Sequence, residues 1–166
     1  MPIIRFARES DIPHILQLIR DLAEYEKELD KVRATEELLR TSLFGPSPAV
    51  FAHVVEHEDG DNTTIGGFAM WFLNYSTWEG KHGIYLEDLY IRPEHRGLGY
   101  GMALMRELSR ICMDRGYARL EWAVLDWNEP AIGFYKELGA IPMDDWTVFR
   151  LTTDDLSRLA TEPWSE

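Results

Sequence analysis

The short apolar run Ile3-Ile4-Arg5-Phe6-Ala7, broken only by Arg5, predicts a first strand. Ile12, Ile15, Leu16, Ile19, Leu22 and Ala23 then fall at helical spacing behind Ser10, a residue suited to capping. That helix runs into the charged stretch Glu24-Tyr25-Glu26-Lys27-Glu28. A shorter helix carries Leu38, Leu39 and Leu43, with Thr35 placed to cap it and Gly45-Pro46-Ser47-Pro48 to close it. Residues 49–57 and 63–74 read as strands joined by the turn Asp59-Gly60-Asp61-Asn62. After a loop over residues 75–82, another strand covers residues 84–91 and stops at Pro93. Leu104, Met105, Leu108, Ile111 and Cys112 form the apolar face of a helix ended by Gly116. A buried strand over residues 120–125 follows, then a helix with Pro130 in its first turn and its end near Gly139. A last strand over residues 148–151 and a short helix capped by Thr153 complete the pattern. Consecutive antiparallel strands amid alternating elements predict a mixed α/β sheet with helices on both faces.

At 166 residues, with 45% hydrophobic and 28% charged residues, the chain suits one globular domain over residues 1–166. No repeat, low-complexity tract or long linker divides it. Its 17 basic and 29 acidic residues leave a net charge of −12. That balance argues against nucleic acid and anionic membrane as partners, because the phosphate term would repel, and favours a cationic partner. The lone Cys112 excludes an internal disulfide and a Cys-rich zinc module. The N-terminus lacks a basic segment followed by an apolar one, and the longest apolar stretch is too short to span a membrane. A cytoplasmic protein is expected.

The most informative segment is Leu86-Glu87-Asp88-Leu89-Tyr90-Ile91-Arg92-Pro93-Glu94-His95-Arg96-Gly97-Leu98-Gly99-Tyr100-Gly101. Three glycines at alternate positions between a strand and a helix let the backbone form a concave nest of N–H donors. The helix adds its unsatisfied first N–H groups and positive dipole end, and Arg96 adds a cation. Together they suit a pyrophosphate. The spacing is neither a Walker A loop, which needs Lys-Ser/Thr, nor the G-x-G-x-x-G dinucleotide fingerprint.

Arg96-Gly97-x-Gly99-x-Gly101 resembles the R/Q-x-x-G-x-G/A motif of the GCN5-related N-acetyltransferases, and the order of elements agrees over residues 3–151. Within that superfamily the chain is most similar to the diamine (spermidine/spermine) and thialysine acetyltransferases. The segments Leu22-Ala23-Glu24-Tyr25-Glu26, Gly67-Phe68-Ala69-Met70, Tyr85-Leu86-Glu87-Asp88, Trp127-Asn128-Glu129-Pro130 and Phe134-Tyr135-Lys136 carry the likeness. The resemblance implies a splayed, mostly antiparallel sheet, acetyl-CoA as co-substrate without a metal, and a homodimer, with which Trp146 and Trp164 are compatible. It implies that Leu89, Tyr90 and Ile91 pair with the pantetheine arm. Gly97, Leu98, Gly99, Tyr100, Gly101 and Met102, beside Arg96, would hold the pyrophosphate, with Asn128, Glu129, Pro130 and Ala131 as a second cofactor-contacting stretch. Tyr135 corresponds to the proton donor to the departing thiolate, and Glu87 to the carboxylate that removes the amine proton through water. Tyr25, Glu26, Asp88, Glu121, Trp122 and Ala123 correspond to the amine side. Lys27, Glu121, Trp122 and Ala131 depart from the family pattern, which bears on amine selectivity.

The residues themselves leave alternatives open. A primary amine with a pKa near 10 must lose a proton before it attacks a thioester, and a nearby carboxylate can take it. Glu87 fits that role or a surface pair with Lys81. Asp88 faces the other way in a regular strand, so the two cannot serve one site without a bulge. Tyr135 has a phenol able to protonate a thiolate, yet it also belongs to the apolar stripe Ile132, Phe134, Tyr135, Leu138. Trp78, in a loop, could bind a cation over its indole face. His53 and His57, about 13 Å apart on one strand, are too distant to share an ion. Cys112 reads as a small core residue. The function expected is acetyl transfer from acetyl-CoA to a small cationic amine, a polyamine or lysine-like molecule, by direct attack. Protein lysine or N-terminal acetylation, and a non-catalytic CoA-binding sensor, are the alternatives.

Overall fold

The computed structural model describes residues 2–163 of the chain. Two compact units make it up, Met1–Leu125 and Asp126–Glu166. The first is built on a five-stranded sheet whose spatial order follows the chain: β1 (Ile3–Phe6), β2 (Phe51–Asp59), β3 (Asn62–Ser76), β4 (Lys81–Ile91) and β5 (Leu120–Glu121). The first four strands pair antiparallel; β4 and β5 pair parallel. The helices α1 (Ile12–Tyr25) and α2 (Glu36–Phe44) precede β2, and α3 (Tyr100–Arg115) lies between β4 and β5.

The helices are held by the apolar faces that the periodicity marks. Ile12, Ile15, Leu16, Leu18, Leu39 and Leu43 of α1 and α2 pack on Ala52, Val54, Phe68, Met70 and Tyr90 of the sheet. On α3, Leu104, Met105, Leu108, Ile111 and Cys112 are buried, and the helix packs on β2, β3 and β4. With helices on both sides, β2 is buried on both faces from Ala52 to Val55.

Local details depart from expectation in instructive ways. Thr35 caps α2 as expected, its hydroxyl accepting from the Leu38 N–H at 3.2 Å, but Ser10 does not cap α1. A 3₁₀ turn over Glu9–Asp11 precedes that helix. Asp11 is buried and accepts from the Arg8 N–H at 2.7 Å and from the Arg5 guanidinium at 2.6 Å, so β1 and the helix start are tied by charge. The loop expected over residues 75–82 shrinks to a turn over residues 77–80, its two ends belonging to β3 and β4. Tyr75 pairs with His82 across β3 and β4, their rings 5.2 Å apart, and a turn with Gly80 at φ 64° closes the hairpin. The strand expected over residues 120–125 shortens to Leu120–Glu121, because β4 offers it a partner only at Ile84 and Tyr85.

The second unit contains α4 (Glu129–Glu137) and α5 (Thr153–Thr161). Pro130 lies in the first turn of α4, and Gly139 follows its end at φ 85°. Thr152, not Thr153, is the N-cap position of α5. Residues 148–151 form no strand. A strand needs a neighbour's N–H and C=O groups, and no strand occurs among the described residues of this unit. Trp146 is exposed, while Trp164 lies outside the described residues.

Beneath α3 sits a histidine that the core keeps neutral. His53 is fully buried, and its Nδ1 accepts from the Trp71 indole N–H at 3.0 Å. Burial depresses its pKa from 6.5 to about 4, against the pull of Glu107. The unfolded chain therefore binds a proton near pH 6.5 that the fold refuses until about pH 4. His53 contributes its full stabilisation above pH 6.5 and loses it as pH falls towards 4, at most roughly 3 kcal/mol. Urea unfolding at pH 7 and 4.5 should show a smaller acid loss for His53→Asn than for the parent; equal losses would contradict this role.

Candidate active site

The site begins with the two sides of β4. Along β3 it is paired over its whole length, from Lys81 opposite Ser76 to Ile91 opposite Gly67. On its other side β5 pairs only with Ile84 and Tyr85, so among the described residues no strand covers Leu86 onward. The sheet opens there. Leu89, Tyr90 and Ile91, which the resemblance assigns to the pantetheine arm, lie along this edge that no strand covers. Gly67 lets the strands close up opposite, since a Cβ there would come within 2.6 Å of the Tyr90 carbonyl oxygen.

Where the sheet opens, β4 bulges. Met70 faces Asp88 and Trp71 faces Leu86, which leaves Glu87 as the extra residue. A bulge is the condition under which Glu87 and Asp88 can serve one site, and here the chain supplies it. Glu87 is exposed and Asp88 partly buried. Burial, then the charges of Glu87 and Glu26, push the Asp88 carboxyl up to about 7. Glu26, just past the end of α1, is itself raised by burial and by Glu28. These carboxylates form one electrostatic group assembled from a helix end and a strand bulge.

The glycine loop has the expected geometry. Gly97 and Gly99 both adopt φ 79°, and a Cβ on either would meet nothing within 4 Å, so the loop surface is open. Gly99 is the N-cap of α3 and accepts from the Ala103 N–H at 2.9 Å. The N–H groups of Tyr100, Gly101 and Met102 precede the first helical bond and remain for a ligand. Leu98 is half exposed at the tip of the loop. The Arg96 guanidinium lies 5.5 Å from the ring centres of both Tyr25 and Tyr90. Its Nε donates to the Ile91 carbonyl at 3.2 Å. Tyr25, from the amine-side set, therefore touches Arg96, from the pyrophosphate set. A cavity of about 380 Å³ is lined here by Asp21, Tyr25, Tyr90, Arg92 and Arg96, among others. These donors and this cation fit the pyrophosphate of acetyl-CoA.

Other residues are placed differently. Trp78 is 86% exposed on the β3–β4 turn, separated from Glu87 by roughly 20 Å of strand, so the first unit does not gather it with the carboxylates. Glu121 is engaged by Asn74 and Arg119, each at 2.9 Å. Trp122 and Ala123 follow it beyond the ladder, Trp122 half-buried and Ala123 exposed. In the second unit Asn128 caps α4, its Oδ1 accepting from the Ala131 N–H at 3.4 Å, while Glu129 and Pro130 form the first turn. Tyr135 is half-buried, its ring 5.4 Å from that of Phe134. Cys112 is buried and its thiol pKa is raised by burial, which suits a core residue. Among the described residues no three His, Cys, Asp or Glu side chains gather for a metal, and no helix is long and apolar enough to cross a membrane.

Sequence reasoning missed Asp21 and Arg92, which approach to 3.7 Å beside Tyr25. It also missed the contacts of His57, which bonds the Tyr100 hydroxyl at 2.6 Å. Glycine at position 66, inside an apolar strand, was the available signal that something packs closely there.

The profile described as the acetyltransferase (GNAT) family matches residues 13–140. The chain is 40% identical to a thialysine N-epsilon-acetyltransferase of Bos taurus over 95% of its own length and 96% of that protein's. It is 33% identical to a spermidine/spermine N(1)-acetyltransferase-like protein of Homo sapiens, covering 96% of this chain but 24% of that longer protein. Among solved structures, an integron cassette protein from V. cholerae superposes with a TM-score of 0.77 over 97% of this chain and 98% of that one, at 23% identity.

If the loop holds the pyrophosphate through its backbone, Gly99→Val should weaken CoA binding about tenfold or more, since a branched side chain resists φ 79°. Isothermal titration calorimetry checks this; unchanged affinity would remove the loop from the site.

Proposed function

Because the chain belongs to the acetyltransferase (GNAT) family, and is an N-acetyltransferase that uses acetyl-CoA, we propose that its acceptor is a small cationic amine. Lysine-like thioethers and polyamines are the class that its relatives' names describe. The observation that carries this reading is the group Glu26, Glu87 and Asp88, in which burial first, and then the charges of Glu87 and Glu26, raise Asp88 to about 7. Such a group is strained while empty and relaxed by a cation. The net charge of −12 adds long-range attraction for the same substrates. We read residues 1–166 as one N-acetyltransferase domain, since the family match runs through the boundary between the two units. A homodimer is the assembly proposed, and a solution mass near twice 19.3 kDa would support it.

Acetyl-CoA supplies an acetyl group on a thioester. The protein must orient that group, free the amine lone pair and provide a proton for the sulfur. Arg96 and the N–H groups following Gly99 hold the pyrophosphate end, and the open edge of Leu89, Tyr90 and Ile91 aligns the arm by backbone pairing. Asn128, Glu129, Pro130 and Ala131 form the second cofactor stretch. Asp88 and Glu26 bind the ammonium, with Tyr25 on the same side. Glu87 accepts the amine proton through water, and the Tyr135 phenol gives a proton to the sulfur as the C–S bond breaks. The protons balance over the cycle: the ammonium gives one through water to Glu87 and on to solvent, and the second, lost from nitrogen as the amide forms, replaces the one that Tyr135 gives to the thiolate. Glu87 at a bulge, next to a carboxyl that titrates near neutrality, is well placed for proton exchange.

Two measurements test this. With acetyl-CoA, thialysine, lysine, spermidine and spermine should be acetylated with higher kcat/KM than a lysine-containing peptide, and high salt should narrow the difference. A peptide preferred at every salt concentration would favour protein acetylation instead. Second, Asp88 must ionise to hold a cation, so kcat/KM for the amine should rise as pH passes about 7. Asp88→Asn should lower kcat/KM about tenfold, the scale of one charged hydrogen bond, and abolish that inflection. Glu87→Gln removes one cause of the raised pKa and should move the inflection to lower pH. A profile indifferent to both substitutions would contradict the reading.

A further inference from the structure

The glycine loop is held from beneath by rings that the reaction itself does not use. Tyr100, the first residue of α3, turns its ring inward and is buried. Its hydroxyl is hydrogen-bonded to Nδ1 of His57 on β2 at 2.6 Å. His95, in the turn before the loop, stacks on His57 with ring centres 4.0 Å apart, and its Nδ1 is buried. Space for these rings comes from a second bulge. Val55 faces Gly67 and Glu56 faces Ile65, so Gly66 is the extra residue of β3. A Cβ at Gly66 would lie 3.0 Å from the Tyr100 ring and 3.2 Å from Nδ1 of His95. Only glycine leaves that slot open.

The placement of these rings in the chain matters. His95 immediately precedes Arg96, and Tyr100 immediately follows Gly99. Between them lie two residues at φ 79° with nothing near the position of a side chain. Gly97 and Gly99 bring no side chain to fix the loop, yet residues flanking it at both ends meet the same imidazole on β2. A loop ordered before the ligand arrives avoids the entropic cost of being ordered by it. We propose that His57 is a positioning residue for acetyl-CoA: through its bond to Tyr100 and its stack on His95 it holds the loop in its binding conformation. This rests on the reading that the loop binds the pyrophosphate.

The consequence is a defect in cofactor affinity without a defect in chemistry. His57→Ala should raise the KM for acetyl-CoA and the Kd for CoA about five- to tenfold, the scale of one lost hydrogen bond. Its kcat, and its KM for the amine, should stay within about twofold of the parent. Tyr100→Phe, which keeps the ring in the Gly66 slot, should weaken CoA binding similarly. His57→Asn offers an amide near the position of Nδ1 and should recover most of the affinity. CoA titrations by calorimetry, with thermal melting of the free proteins to confirm folding, read all three. CoA affinity unchanged in both His57→Ala and Tyr100→Phe overturns the proposal, as does a fall in kcat equal to the fall in kcat/KM for acetyl-CoA. A failure of the underlying reading looks different: Gly99→Val would then bind CoA as tightly as the parent.

Discussion

Everything in the candidate site depends on one strand being paired on one side and bare on the other. β4 meets β3 along its whole length and β5 over two residues, so among the described residues no strand covers the other edge of β4 from Leu86 to Tyr90. Buried peptide groups do not stay unpaired without cost, so an open edge inside a covered sheet is a site for an extended ligand or for water. The bulge at Glu87 stands at the same point, bending the strand where it parts from its neighbour. Geometry that frees a backbone for one substrate thus brings two adjacent carboxylates together for the other.

Crowding those carboxylates costs stability. Asp88 is partly removed from water beside Glu87, within the field of Glu26. Such repulsion is tolerated where function needs it and is relieved when a positive charge enters. Arg96 provides a physical link between the two halves of the site, its guanidinium lying against both Tyr25 and Tyr90 while its Nε holds the carbonyl of Ile91. The anion-facing loop and the cation-facing acids are therefore parts of one packed structure within the first unit.

Much of this could be read from the sequence because it is local. Gly97 and Gly99 announce their positive φ by being glycine, Thr35 its cap, and the face of α3 its periodicity. What escaped is what depends on partners distant in the chain. The bulge at Glu87 is set by the register of β3, and the shortening of β5 by where β4 turns away. Ser10 looked like a cap until Asp11 was claimed by Arg5. Trp78 looked like a cation platform in a loop, but the hairpin extends through Tyr75 and His82 and carries it to an exposed tip. His53 and His57 looked alike on one strand. One is a neutral core residue bonded to Trp71, and the other reaches the first residue of α3.

Asp88 is proposed as a carboxyl held half-protonated near neutral pH, first by burial and then by its neighbours, and ionised by an arriving cation. Carbon-13 NMR of the Asp88 carboxyl, titrated with and without a saturating unreactive diammonium ligand, tests it most directly. The account predicts a midpoint near 7 in the free protein and a downward shift when the ligand is bound. A midpoint near 4 in the free protein, unmoved by the ligand, would contradict it.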